Sequence, residues 1–173
     1  MKIINLNHNF STTRKLTSAP LQYPILSPAN LERKGEGGLR TKGYFKHSYT
    51  ETSELSEKFA VPLVTIITVV FNGEKHLEQA IQSVISQSYN NVEYIIIDGG
   101  STDSTIDIIR KYDDQIDYWL SEPDEGIYDA MNKGWKLSQG DYIYYLGSDD
   151  ILLNIPSQSI QKASFNNTDI IHG

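Results

Sequence analysis

From Val61 onward, short near-continuous apolar runs alternate with stretches of helical period, and that alternation leaves few architectures open. After Pro62, the residues Leu63, Val64, Ile66, Ile67, Val69, Val70 and Phe71 make a largely β-branched run, the pattern of a parallel strand covered on both faces. Asn72 and Gly73 break it. Leu77, Ala80, Ile81, Val84 and Ile85 then recur at helical spacing, with Glu74, Lys75, Glu78, Gln79 and Gln82 largely opposite. A second apolar run, Val92 to Ile97, ends in Asp98, Gly99 and Gly100, and Ser101 or Thr102 can cap a helix with the buried stripe Ile106, Ile109 and Tyr112. Ile116 to Leu120 predicts a third strand, and Tyr142 to Leu146 a fourth. Between them, Gly126 to Gln139 predicts a helix carrying Ile127, Ala130, Met131, Gly134 and Trp135 on one side. The order βαβαβαβ predicts an α/β fold with a doubly wound, mainly parallel sheet, whose ligands sit beyond the carboxyl ends of the strands.

The first 60 residues have a different character. They are rich in Ser, Thr, Asn, Lys and Glu, show no sustained period, and contain the breaker-rich stretch from Pro24 to Gly38, so they are expected to form a disordered or weakly ordered leader. Arg33, Lys34, Arg40, Lys42 and Lys46 read as solvated linker charges, with a weak phosphate or lipid contact as the alternative; Tyr44 and Phe45 are candidates for docking on the domain. With 15 basic against 22 acidic side chains and a formal charge of -7, the chain has no general attraction to nucleic acid, which is excluded as a partner class. It contains no cysteine, so disulfide scaffolds, thiolate metal sites and cysteine nucleophiles are excluded too. No apolar run approaches the roughly 18 to 20 residues of a membrane-spanning helix, and the N-terminus lacks the apolar block of a secretory signal. A cytoplasmic protein is the expectation.

Three strand ends carry polar residues that packing does not explain. At the first, Asn72 and Gly73 suit a tight turn, and its free backbone N–H groups could face an anion or a base. At the second, Asp98 can accept hydrogen bonds from a base or ribose while Gly99 and Gly100 allow close approach; the alternative is an Asp-Gly turn with Asp103 favouring a helix N-terminus. At the third, Asp149 and Asp150 repel one another unless a cation or donors offset them. Mg²⁺ or Mn²⁺, which takes one or two carboxylates and completes its shell with water and phosphate oxygens, would resolve that conflict; a solvated turn is the alternative. The spacing Gly-x-Gly-x-x-Gly is absent, and so is a phosphate loop of the Gly-Lys-Ser/Thr type.

Taken in order, the first strand with its Asn-Gly turn, the segment Asp98-Gly99-Gly100-Ser101-Thr102-Asp103, the segment Ser121-Glu122-Pro123-Asp124 followed by Gly126-Ile127-Tyr128-Asp129-Ala130-Met131-Asn132-Lys133-Gly134, and Gly147-Ser148-Asp149-Asp150 resemble the family 2 glycosyltransferases, particularly bacterial members that build surface polysaccharides. The resemblance covers Pro62 to about Gly173 and implies a GT-A fold, with residues 61–173 as the N-terminal, nucleotide-sugar-binding part of the domain. It places Val70, Phe71 and Asn72 against the base and gives Asp98 a hydrogen bond to it, with Gly99, Gly100, Ser101 and Asp103 shaping the loop. It puts Asp124, Tyr128, Asn132 and Lys133 nearest the ribose and diphosphate. It gives the Mg²⁺ or Mn²⁺ to Asp150, and has Asp149 meet the ribose or the metal shell. Two positions depart from many relatives: Gly147, where they carry Asp or Asn, and Gly126, where some carry arginine.

The same resemblance implies transfer, with inversion, of a sugar from a UDP- or GDP-type donor to a glycan or lipid-linked acceptor, with peripheral contact at the inner face of the membrane. The general base is expected beyond Gly173, so the chain is expected to be truncated at its C-terminus; His172 reads as an ordinary strand residue. Two other readings stand beside this one: a fragment that binds the nucleotide without turnover, and a nucleotidyltransferase, which would usually carry a basic Gly-rich loop where this chain has Phe71-Asn72-Gly73-Glu74. An open sheet lacking its last strands predicts self-association through an exposed edge.

Overall fold

The computed structural model describes residues 3–4, 16–17, 26–52, 58–156 and 160. His8, His172 and the closing segment from Asp169 to Gly173 lie outside the described residues. Two-residue strands β1 (Ile3–Ile4) and β2 (Leu16–Thr17) pair with each other, and β4 (Tyr49–Thr52) and β5 (Lys58–Val61) form an antiparallel pair whose Tyr49 and Phe59 pack on the core.

The central sheet contains β3 (Gly35–Gly37), β6 (Val64–Val70), β7 (Val92–Asp98), β8 (Tyr118–Ser121) and β9 (Tyr142–Gly147), in the order β3-β8-β7-β6-β9. All pairs are parallel except β3 with β8. Helices α1 (Leu77–Ile85) and α2 (Thr105–Lys111) cover one face, where Leu77, Ile81, Val84 and Ile109 pack with Ile66, Tyr94 and Ile96. Helix α3 (Ile127–Leu137) covers the other, packing Ala130 and Leu137 on Ile67, Ile95 and Ile97. Every residue of β7 is therefore buried, as its unbroken apolar run anticipates. The expected doubly wound, mainly parallel sheet is the observed one. Helix α3 differs in detail: its buried stripe is Ala130, Gly134 and Leu137, while Ile127 and Trp135, expected on that side, are 61% and 58% exposed.

Residues 26–52, read from sequence as leader, pack onto the domain. Strand β3 extends the sheet at β8, and the 3-10 helix η1 (Leu39–Lys42) follows it with Leu39 buried. The basic residues expected to be solvated are anchors instead. Arg40 pairs with Glu93, whose carboxylate also accepts from Thr65 Oγ1 at 2.6 Å and the Gln139 N–H at 2.8 Å. Its guanidinium also donates to the Leu137 carbonyl at 2.7 Å, at the C-terminus of α3. Lys46 sits 2.6 Å from Asp117 and donates to the Val92 carbonyl, while Asp117 accepts the Tyr94 N–H at 2.8 Å. Burial pushes the Lys46 ammonium down and the Asp117 carboxyl up, so each charge is maintained mainly by the other. Near the surface, Lys42 reaches Asp113 at 2.6 Å and also pairs with Asp114.

No helix among the described residues is long and apolar enough to cross a membrane. On its outer side β9 has no strand partner among the described residues, and Ile143, Tyr144 and Tyr145 are exposed there.

Two measurements test this fold. Removing the Lys46 ammonium strands a buried carboxylate, so Lys46→Met is expected to lower the urea-unfolding free energy by about 3 to 5 kcal/mol, against at most about 1 kcal/mol for Lys42→Met in its more exposed pairs. Equal losses would contradict the assigned burial. Sedimentation of the wild-type chain is expected to show concentration-dependent association, weakened by Ile143→Lys; a monomer at all concentrations would remove the β9 edge as its cause.

Candidate nucleotide-binding site

The four parallel strands lie in the order β8-β7-β6-β9, so the winding reverses at β6, whose neighbours β7 and β9 lead away in opposite directions. Such a switch opens a crevice at the carboxyl ends of the strands. In register, Val70 lies beside Asp98 on one side, and Val69 beside Gly147 on the other. The three polar strand ends picked out in the sequence therefore share one end of the sheet. A side-chain carbon at Gly73 would lie 3.7 Å from Ser148 Oγ, which brings the first loop against the third.

The first two loops are stitched together. Asn72 has φ 52°, a left-handed conformation that Asn tolerates better than most residues. That bend turns successive N–H groups of the turn toward the neighbouring loop. Asn72 N–H donates to Ser101 Oγ at 2.7 Å, Gly73 N–H to Thr105 Oγ1 at 2.8 Å, and Glu74 N–H to Asp103 at 3.1 Å. The Asn72 side-chain oxygen in turn accepts the Thr102 N–H at 2.9 Å. These turn N–H groups, offered by the sequence to an anion or a base, are thus occupied by side chains of the second loop. Burial pushes the Asp103 carboxyl up, but the Thr105 hydroxyl and N–H and the Glu74 N–H outweigh it and hold the group below its ordinary value.

Asp98 is 0% exposed. Its carboxylate accepts from the Ser101 N–H at 3.0 Å, the Gly100 N–H at 3.2 Å, and the hydroxyls of Ser101 and Ser121. Three of these donors meet Oδ2 and one, the Ser101 hydroxyl, meets Oδ1, so the carboxylate is committed first to closing its own loop. Asp98 builds the loop whose backbone lines the mouth. Gly99 explains which carboxylate stands nearby. A side-chain carbon at residue 99 would lie 2.6 Å from an oxygen of Asp124, so the absent side chain leaves room for that carboxylate. Asp124 is half-buried and accepts the Gly126 N–H at 2.8 Å.

Of the other expected residues, Phe71 is exposed at the end of β6, and Tyr128 and Asn132 are exposed on α3. Lys133 is engaged within the protein. Its ammonium lies 3.3 Å from Glu122 and 3.2 Å from Asp129, and donates to the Pro123 carbonyl at 3.2 Å. Asp149 and Asp150 are exposed, and both lean over Gly147: a carbon added there would lie 2.6 Å from Asp150 and 3.1 Å from Asp149. The missing side chain at Gly147, noted as a departure, is what allows this approach. Two exposed carboxylates directed at one point fit a divalent cation that draws its remaining ligands from phosphate and water. Among the described residues, no group of three or more His, Cys, Asp or Glu could hold a metal alone. Ser121 and Glu122 went unassigned in the sequence, although a serine and a glutamate directly after a buried strand were the signal for them.

The family model described as glycosyl transferase family 2 matches residues 65–170. An uncharacterized glycosyltransferase of Haemophilus influenzae is 42% identical over 97 residues, covering 54% of this chain and 39% of that protein. The putative teichuronic acid biosynthesis glycosyltransferase TuaG of Bacillus subtilis is 39% identical over 92 residues, covering 51% and 36%. The chain thus spans less than two fifths of the length of either relative. Among solved structures, the mannosyltransferase PcManGT from Pyrobaculum calidifontis superposes with a TM-score of 0.51 at 21% identity, covering 60% of this chain and 31% of that one. S. aureus TarS superposes with a TM-score of 0.50 at 22% identity, covering 61% and 20%. These likenesses establish the GT-A fold.

The stitched loops make a direct prediction. Asp98→Asn keeps the shape but sets an amide donor against donors already in place, so unfolding free energy is expected to fall by about 2 to 3 kcal/mol. A loss within error of zero in urea titration would show that the Asp98 network does not hold the loop.

Proposed function

Because this chain belongs to glycosyl transferase family 2, we propose that its mouth binds the nucleoside diphosphate of a sugar donor, of the UDP or GDP type, for transfer to a glycan or lipid-linked acceptor. The supporting observation is the convergence, at the switch between β6 and β9, of a closed loop around Asp98 and a pair of exposed carboxylates over Gly147. The base rests on the backbone of residues 70–72 and 99–101, with the Asp124 carboxylate in the space that Gly99 leaves for the base or ribose. Asp150, with Asp149 beside it, would hold Mg²⁺ or Mn²⁺. When bound, that cation would supply charge stabilisation to the nucleoside diphosphate as leaving group. PcManGT, of the same fold, is described in complex with GDP-Man and Mn2+, which supports this choice of ligand class.

Phe71 and Tyr128, both exposed at the mouth, wall the crevice, and Asn132 offers an amide on the α3 side. Lys133 acts through Glu122 and Pro123 rather than on phosphate, since its ammonium is already engaged. Transfer proceeds by direct displacement with inversion, and the acceptor proton goes to a base beyond the described residues.

Calorimetric titration with UDP and with GDP, each with and without Mn²⁺, tests this reading. Binding to one nucleotide is expected to tighten at least about tenfold with metal, and Asp150→Ala to abolish that gain. Metal-independent binding in both proteins would remove Asp150 from the role. Binding with no release of sugar from a nucleotide sugar would favour a nucleotide-binding module without turnover.

A further inference from the structure

Strand β3 runs antiparallel to β8, pairing Gly35 with Ser121 and Gly37 with Trp119. An antiparallel edge strand that begins beside the carboxyl end of its neighbour delivers the residues just before it to that same end of the sheet. Arg33 and Lys34 are those residues, and both precede the family region, which begins at residue 65.

Each engages one of the loops at the mouth. The Lys34 ammonium donates to the carbonyls of Gly100 at 2.6 Å and Ser101 at 3.2 Å, while its backbone N–H donates to the Ser121 carbonyl at 2.8 Å. The Arg33 guanidinium donates twice to Glu122, at 3.1 Å from both Nε and Nη2, and contacts Glu36 at 2.6 Å. Glu122 is 4% exposed and sits between two cations, since its other oxygen faces Lys133 of α3 at 3.3 Å. Its N–H donates to the Asp98 carbonyl at 3.0 Å. A carboxylate so enclosed needs its cations, and shared between them it ties the incoming segment, the loop that carries Asp124, and α3 into one unit.

We infer that Arg33 and Lys34 are positioning residues for the nucleotide site: a clamp, contributed by sequence ahead of the family region, that fixes the loops at 98–101 and 121–126. Its effect on the ligand rests on the donor-site reading above; its effect on loop order does not. Neither residue has to touch the ligand. Lys34 opposes outward movement of the Gly100 and Ser101 carbonyls, and Arg33 holds Glu122 and the adjoining Pro123-Asp124 segment.

The test compares the full chain with Arg33→Gln/Lys34→Gln, with the conservative Arg33→Lys/Lys34→Arg, and with Lys42→Gln, which breaks ion pairs of the same segment away from the mouth. Amide hydrogen exchange is read at Gly100, Ser101, Glu122 and Gly126, with the amides of β6 and β7 as internal reference, alongside titration with UDP and GDP in Mn²⁺. The double glutamine variant is expected to exchange about tenfold faster at those four amides with β6 and β7 unchanged, and to bind the preferred nucleotide about tenfold more weakly. The conservative pair is expected to recover most of both, and Lys42→Gln to alter neither. Unchanged loop exchange in the glutamine variant, or acceleration matched by β6 and β7, overturns the clamp. Loop exchange that rises while nucleotide affinity holds overturns its role at the site. Should the wild-type chain bind neither nucleotide, the donor reading fails, and the exchange comparison still decides the clamp.

Discussion

Two carboxylates stand at 1% exposure against a largely apolar sheet, Glu93 within β7 and Asp117 directly before β8. Carboxylates so placed have to be paired and fully hydrogen-bonded to remain charged, and their cations come from Arg40 and Lys46 on the segment that precedes the first long strand. The parallel sheet and that segment are consequently interdependent. Without Arg40, Glu93 would keep, among the described contacts, the neutral donors of Thr65 and Gln139 and the attraction of Lys46; without Lys46, Asp117 would keep the Tyr94 N–H as its remaining protein donor among those contacts. The anionic end of α3 is answered by the same Arg40 through the Leu137 carbonyl, so one side chain secures elements on both sides of it.

At the opposite end of the sheet the same logic operates with smaller groups. Asp98 is closed off by two hydroxyls and two backbone N–H groups, and Asn72, Asp103 and Thr105 carry that network across to the turn after β6. Glycine acts here through absence: at residue 99 it leaves room for the Asp124 carboxylate, and at 147 for those of Asp149 and Asp150. The acidic group that organises the mouth is thus buried, while Asp149 and Asp150 beside it are exposed.

The parallel strands and helices α1, α2 and α3 were legible because their burial has a period: two covered faces for β7, one covered stripe for α1. The three loops were legible as strand ends bearing unexplained polar residues. What escaped has a physical reason in each case. Periodicity carries no information on which donors meet a carboxylate, so the enclosure of Asp98 by the Ser101 and Ser121 hydroxyls and two loop N–H groups has no signature in the pattern. Strand β3 has three residues, two of them glycine, and shows no pattern at all. Its signal lay elsewhere, in the acids Glu93 and Asp117 within apolar runs and in the cations Arg33, Lys34, Arg40, Lys42 and Lys46 ahead of them. Ile127 and Trp135 were placed on the buried stripe of α3 because they are apolar, whereas the helix meets the sheet through the small residues Ala130 and Gly134.

Among the described residues strand β9 hydrogen-bonds to a neighbour on one side only, and the loop of Asp149 and Asp150 that follows it is closed by the turn bond from the Asp150 N–H to the Gly147 carbonyl and fastened to α1 just beyond, where the Leu152 N–H donates to Ser83 Oγ at 3.0 Å and Gln87 donates to the Leu152 carbonyl at 3.0 Å. The half of the crevice nearer β7 is braced by the side chains of its own loops; the half beside β9 is a short span held at both ends, by the sheet before it and by α1 after it. An arriving cation would therefore meet carboxylates whose backbone is already placed, and the entropy lost on occupancy falls mainly on the two side chains.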